Sequence, residues 1–128
     1  MKLINPADVP QPASQYSQAV LLSGGGERLV ISGQIGIRAD GTIVDGLEGQ
    51  MEQAWRNVLA IVRDAGFERE HLTRLVIYVT QPGSVGVYRS VRDRMLEGHR
   101  CANTYLEISG LALPELLCEI EGEAYKPA

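Results

Sequence analysis

The residues best equipped to do chemistry lie in the run Glu119-Ile120-Glu121-Gly122-Glu123 of this 128-residue chain. Read as a strand, the run alternates, with Cys118, Ile120, Gly122 and Ala124 on one face and Glu119, Glu121 and Glu123 on the other. Three carboxylates on one face most often mean a solvated face, because Glu is rarely buried unpaired. A Glu partly screened from water is instead a candidate general base or water-positioner, with its pKa raised by desolvation. Cys101 is a second candidate: His99 lies two residues before it, and Arg100 could lower the thiol pKa. Adjacency in sequence is not the geometry of a triad, however, and a free Cys is most often a small buried apolar residue. The structural reading of Cys101 is therefore favoured, and that of Cys118, inside a strand beside Leu117, more strongly. Tyr16, Ser32-Gly33-Gln34 and Asn103-Thr104 are the remaining polar residues in or beside apolar strands. Taken singly, each reads as structural: a Tyr closing a core edge, a Gly admitting close approach, an Asn-Thr pair starting a strand.

Several recurrent sites are absent. There is no Gly-x-x-x-x-Gly-Lys-Ser/Thr phosphate loop, no G-x-S-x-G elbow and no His-Glu-x-x-His motif. His71 and His99 pair with no Cys at zinc-ligand spacing, so no metal is expected. With 12 basic against 16 acidic residues the net charge is −4, a poor balance for binding phosphate backbones or anionic membranes. One Trp and one Phe cannot supply a base-stacking platform. No run of about 18 apolar residues offers a membrane span, and Met1 to Tyr16 has no apolar region of the signal-peptide kind. Two cysteines are too few for a disulfide framework, which points to reduced thiols and a cytoplasmic setting. The length suits one domain over residues 1–128.

The elements that must position these residues follow from periodicity. Tyr16 to Leu22 and Arg28 to Ile37 read as strands joined by the turn Ser23-Gly24-Gly25-Gly26-Glu27. Asp40-Gly41 marks another turn, with Thr42-Ile43-Val44 as a short strand. From Leu47 to Ala65 the apolar residues step by three and four, one face of a helix, and Gly66 suits its C-terminal cap. Thr73 to Thr80 is a nearly continuous apolar strand, expected to be buried on both faces. Ser84 can cap a second helix with Val85, Tyr88, Val91, Arg92 and Met95 on one face, ending near Gly98. Strands from Thr104 to Ile108 and Leu117 to Tyr125 complete the order. One sheet covered on one face by two helices is an α+β two-layer sandwich.

Together these residues resemble the RidA (YjgF) family. The matching pieces are Tyr16-Ser17-Gln18-Ala19-Val20, Ser32-Gly33-Gln34-Ile35, Asn57 with Ala65-Gly66, Tyr78-Val79-Thr80, and Ala102-Asn103-Thr104 followed by Leu113 to Glu121. They occur in the family's order over nearly the whole chain. The resemblance implies a chorismate-mutase-like α+β fold, a mixed sheet with two helices on one face, and a homotrimer with ligand clefts between subunits. It also implies a cofactor-independent imine and enamine hydrolase that turns products such as 2-aminoacrylate into a keto acid and ammonia. Carried over residue by residue, Tyr16, Ser32 and Gly33 match pocket positions and Glu119 matches the water-holding Glu. Partners would be a small metabolite and other copies of the chain, with neither nucleic acid nor membrane.

Three positions depart from the family pattern. Asn103 stands where the family carries an Arg that clamps the substrate carboxylate. Tyr105, after Thr104, falls where many deaminating members have Cys, and Val85 replaces a pocket Asn. Asn offers an amide without charge, whereas guanidinium grips a carboxylate through paired charge-assisted bonds. Arg100, three residues before Asn103 and off the strand, is a poor substitute. The expected ligand is larger or less anionic than the usual 2-imino acids. Two other readings stand beside the hydrolase: a non-catalytic metabolite-binding or sensing trimer, and, disfavoured by charge and composition, an endoribonuclease.

Overall fold

The computed structural model describes residues 1–13, 15 and 17–128. Its elements are β1 (Lys2–Ile4), β2 (Ala19–Ser23), β3 (Gly26–Ile35), α1 (Leu47–Asp64), β4 (Leu72–Val79), α2 (Val85–Leu96), β5 (Ala102–Glu107) and β6 (Cys118–Pro127). The six strands form one mixed sheet in the order β1-β2-β3-β6-β4-β5. Every neighbouring pair is antiparallel except β4 and β5, which run parallel. A parallel pair needs a crossover, and α2 supplies it. The glycine run joins β2 and β3 as a hairpin turn, as expected. This is the expected α+β architecture, one mixed sheet with two helices packed on one face.

The core lies between that face and α1. Met51, Ala54, Trp55, Val58, Ile61 and Val62 of α1 are buried, against Leu29 and Ile31 of β3 and Cys118, Ile120 and Ala124 of β6. Alternation places Leu75, Ile77 and Val79 of β4 on the same face, all nearly inaccessible. The helix ends where Gly66 takes a φ of 78°, a conformation that costs a glycine nothing. On β4, Val76 is buried as well, in keeping with an interior strand.

Three local expectations are corrected and one strand is added. Thr42-Ile43-Val44 forms no strand; Ile37 and Ile43 make one isolated bridge closed by the Asp40-Gly41 turn, where Asp40 Oδ1 accepts the Thr42 N–H. Ser84 precedes α2, but its hydroxyl donates to the Gln81 carbonyl instead of capping the helix. Val85 is not part of the packed face: it begins α2 and is 39% exposed. β1 was not expected, because two of its three residues are exposed and no alternation can be read from so short a strand.

Candidate functional site

β3 and β6 pair regularly until Ile31 opposite Gly122, then resume at Gln34 opposite Ile120. The interruption falls at Ser32-Gly33, a bulge that bends the strand and re-aims its side chains. A Cβ on Gly33 would lie 2.7 Å from the carboxyl carbon of Glu119 and 3.0 Å from its Cγ. Any larger residue at position 33 would therefore displace the carboxylate. Glu119, Ser32 and Gly33 line one cavity of about 430 Å³ together with Gln34, Asn57 and Leu116.

Buried amides wire this cavity to its surroundings. Gln34 Nε2 donates to Gln18 Oε1 at 2.6 Å and to the Ser32 carbonyl at 3.0 Å, and Gln18 Nε2 donates to the Pro10 carbonyl at 2.9 Å. From α1, Asn57 Nδ2 donates to the carbonyls of Ile35 and Ile37. Two turns earlier, Gln50 donates to the Glu115 carbonyl and accepts the Leu117 N–H. A polar group buried without a partner is costly, so these bonds fix the end of β3 and the approach to β6 in one arrangement. Ser32 gives its N–H to Gln18 and its hydroxyl proton to the Ser17 carbonyl. What remains for a ligand is the lone pairs of its Oγ.

The three carboxylates of β6 differ. Glu123 pairs with Arg28 at 2.6 Å, and Glu121 accepts the Tyr78 hydroxyl at 3.1 Å. Glu119 is partly buried and has no side-chain hydrogen-bond or ion-pair partner among the described residues. Burial, and secondarily the charge of Glu121, raises its pKa above the ordinary carboxylate value. Of the three, Glu119 therefore departs from the solvated-face reading.

Asn103 and its neighbours lie elsewhere. Parallel pairing sets Asn103 beside Leu75 and Tyr105 beside Ile77, on the helix-covered face. Glu119 is opposite Tyr78, whose β5 partner is Leu106, on the other face. Thr104 alternates away from Asn103 and is exposed. Asn103 Oδ1 accepts the Tyr88 hydroxyl at 3.4 Å, and its Nδ2 donates to the Cys101 carbonyl at 3.0 Å and to Cys101 Sγ at 3.4 Å. Tyr105 packs edge-on against Tyr88 and donates to Glu107 at 2.7 Å. A second cavity, of about 670 Å³, is lined by Arg92, His99, Arg100, Cys101 and Asn103. Within one chain, then, Ser32, Gly33 and Glu119 come together, whereas Asn103 and Tyr105 form a separate group around Tyr88, and Val85 stands exposed at the start of α2. Tyr16 lies outside the described residues.

Cys101 is poorly placed to be a nucleophile. Burial pushes its thiol up, against the smaller opposing effects of the Asn103 hydrogen bond and the Arg92 charge. Cys118 is wholly buried, its thiol pushed up to about 12, as expected of a core residue. Among the described residues no three His, Cys, Asp or Glu side chains are grouped to hold a metal, and no helix is long and apolar enough to cross a membrane. Reading the residues alone missed Gln50 as a supporting residue and Arg92 as a site-lining one. An isolated Gln or Arg on a helix carries no signal until its neighbours are known.

The fold and the Glu119 cavity define a small α+β protein built to hold a modest ligand beside a bulged strand. The sequence profile of the family described as Endoribonuclease L-PSP matches residues 6–126, and the chain belongs to this family, which includes the YjgF/RidA proteins. A RutC family protein of Aquifex aeolicus is 42% identical over 81 residues, 62% of each chain. A RutC family protein of Pyrococcus horikoshii is 31% identical over 121 residues, 93% of each chain. Among solved structures, RidA from an Antarctic Psychrobacter superposes with a TM-score of 0.89 at 25% identity, covering 98% of this chain and 99% of the other.

Proposed function

We propose that this protein is a cofactor-independent hydrolase of small imines or enamines, with Glu119 as the group that holds and deprotonates water. The observation that carries this reading is the Glu119 carboxylate itself: unpaired, partly buried and seated against Gly33 in a cavity of about 430 Å³. A carboxylate with a raised pKa is a better base than a solvated one. In the reaction, water adds to the carbon of the C=N bond while Glu119 takes its proton. The same carboxyl then returns that proton to the nitrogen of the tetrahedral adduct. As the C–N bond breaks, the hydroxyl proton of the adduct passes through the Glu119 carboxylate to the leaving nitrogen, and the products are a carbonyl compound and ammonia, atoms and electrons balancing without an added oxidant or reductant. Ser32 Oγ can accept a hydrogen bond from the substrate. Membership of the family that includes RidA supports the reaction class, and the expectation for Tyr16 at the same pocket is kept as part of the proposal.

The separate Asn103 group supports a homotrimer with the site between subunits. Glu119 and the Asn103-Tyr105 pair lie on opposite faces of the sheet within one chain. The sheet face that carries no helix exposes Leu22 and Leu106 by 39% and 43%, apolar area that a neighbouring copy would cover. The test is to supply enzymatically generated 2-aminoacrylate and follow ammonia and pyruvate. Acceleration over the buffer rate supports the hydrolase, and none at any protein concentration rules out the deaminase form. Asn103, in place of a guanidinium, favours a second reading, a metabolite-binding trimer without turnover. In that case Glu119→Ala changes affinity and there is no rate to lose.

A further inference from the structure

The chain lacks an Arg at position 103, yet a guanidinium stands beside that position. Tyr88 and Arg92 are spaced by four residues, so they share one stripe of α2. Across from this stripe lie Tyr105 and Asn103. Tyr88 packs on Tyr105 with ring centroids 5.0 Å apart and donates its hydroxyl to Asn103. Arg92 in turn donates from Nη1 to the Tyr88 hydroxyl at 3.2 Å, its guanidinium carbon 5.0 Å from the centre of that ring. A chain of contacts thus runs from Arg92 through Tyr88 to Asn103, and both end residues line the cavity of about 670 Å³.

We infer that Arg92 binds the carboxylate of this protein's ligand, supplying from α2 the guanidinium that β5 lacks. This rests on the hydrolase reading above and replaces the expectation of a less anionic ligand: the ligand of the cleft is a small acid bearing an imine or the corresponding carbonyl. The guanidinium is held, not free: Nε and Nη2 contact Asp93 Oδ1 at 2.9 Å, and Nη1 contacts Tyr88. Five N–H groups less these contacts leave a donor on each terminal nitrogen, which is the fork a carboxylate takes. Asp93 lines the same cavity, its side chain 70% exposed against 28% for Arg92, and Arg100 adds a second guanidinium, so the lining keeps a net positive charge. Asn103 then has a role suited to an amide: it holds the Tyr88 hydroxyl that positions Arg92. Arg100 lines the same cavity but is exposed and makes no side-chain contact with Asn103 or Tyr88 among the described residues. His99 Nε2 donates to the Leu72 carbonyl, 2.7 Å away, and is occupied there.

The test is binding, not turnover: titrate the purified protein with pyruvate and with its uncharged primary amide, by calorimetry or ligand-observed NMR. The parent should prefer the acid by about tenfold to a hundredfold, the range of one charge-assisted contact. Arg92→Gln should abolish that preference and Arg92→Lys keep part of it, with unfolding midpoints confirming that both fold. A parent without preference, an Arg92→Gln variant that retains it, or loss of the preference in Arg100→Gln instead would overturn the inference. If imine hydrolysis is absent while the Arg92-dependent preference persists, only the hydrolase reading falls. If hydrolysis is present without that preference, only the Arg92 assignment does.

Discussion

The cavity at the β3 bulge and the cavity under α2 are built differently. The first is wired by side-chain amides to backbone carbonyls on three segments, through Gln18, Gln50 and Asn57. Among the described residues, its one unpaired ionisable group is Glu119. The second is held by side chains bonding one another in series, Arg92 to Tyr88 to Asn103, at the edge strand of the sheet. Backbone-anchored parts hold a geometry that chemistry depends on. A side-chain relay can change members and still present a charge. Under the proposed function, the chemical step falls to the first cavity and ligand choice to the second.

The strongest way to break this division is at Glu119. Replacing it with Gln keeps the shape and removes the base, and turnover of 2-aminoacrylate should fall by about 10²–10⁴-fold, the usual worth of a positioned proton acceptor. Pyruvate release in a coupled assay reads this directly. A loss of less than tenfold would move the chemistry away from Glu119.

Gly33→Ala tests the same cavity through geometry alone. The added methyl would overlap the Glu119 carboxyl, 2.7 Å from its carbon, and a shift of about 1 Å in a reacting group can cost 10²-fold in rate. The side chain of Glu119 can swing away, so stability should change little. An unchanged unfolding midpoint with turnover down about a hundredfold would isolate positioning from folding.

Asn103→Ala examines the other cavity. Removing a neutral amide from the relay should weaken substrate binding about two- to tenfold, the worth of one ordinary hydrogen bond, and raise KM with kcat preserved. If kcat falls instead, Asn103 takes part in the chemical step and the division between the cavities fails.

Much of this was legible in the sequence, for reasons that differ by region. The stripe from Leu47 to Ala65 has the period of a buried helix face and the closing Gly66, and α1 runs where that period predicts. The Glu run was legible as alternation, but which carboxylate stays unpaired depends on Arg28 and Tyr78 across two strand boundaries. The separation of Asn103 from Glu119 depends on the parallel register of β5 against β4 and on β6 lying between β3 and β4. Pairing and register are long-range facts that one sequence does not display. Arg92 stood in a stripe already picked out, yet its meaning required knowing that Tyr88 reaches Asn103.

The smallest expected effect separates the cavities by pH. Burial holds the Glu119 carboxyl above its ordinary value of 4.5, so the folded chain binds that proton more tightly than the unfolded chain. Ionised Glu119 therefore disfavours the folded state above its raised pKa, and the cost vanishes as pH falls below the ordinary value. Glu119→Gln removes this titration. The variant should be slightly more stable than the parent at neutral pH, and their denaturation midpoints should converge as pH drops below about 4.5. Asn103→Ala deletes no ionisable group, so its difference from the parent should stay nearly constant over the same range. A parent more stable than Glu119→Gln at neutral pH would mean that the folded chain gives the carboxylate a partner, and Glu119 would then be a structural anion instead of a poised base.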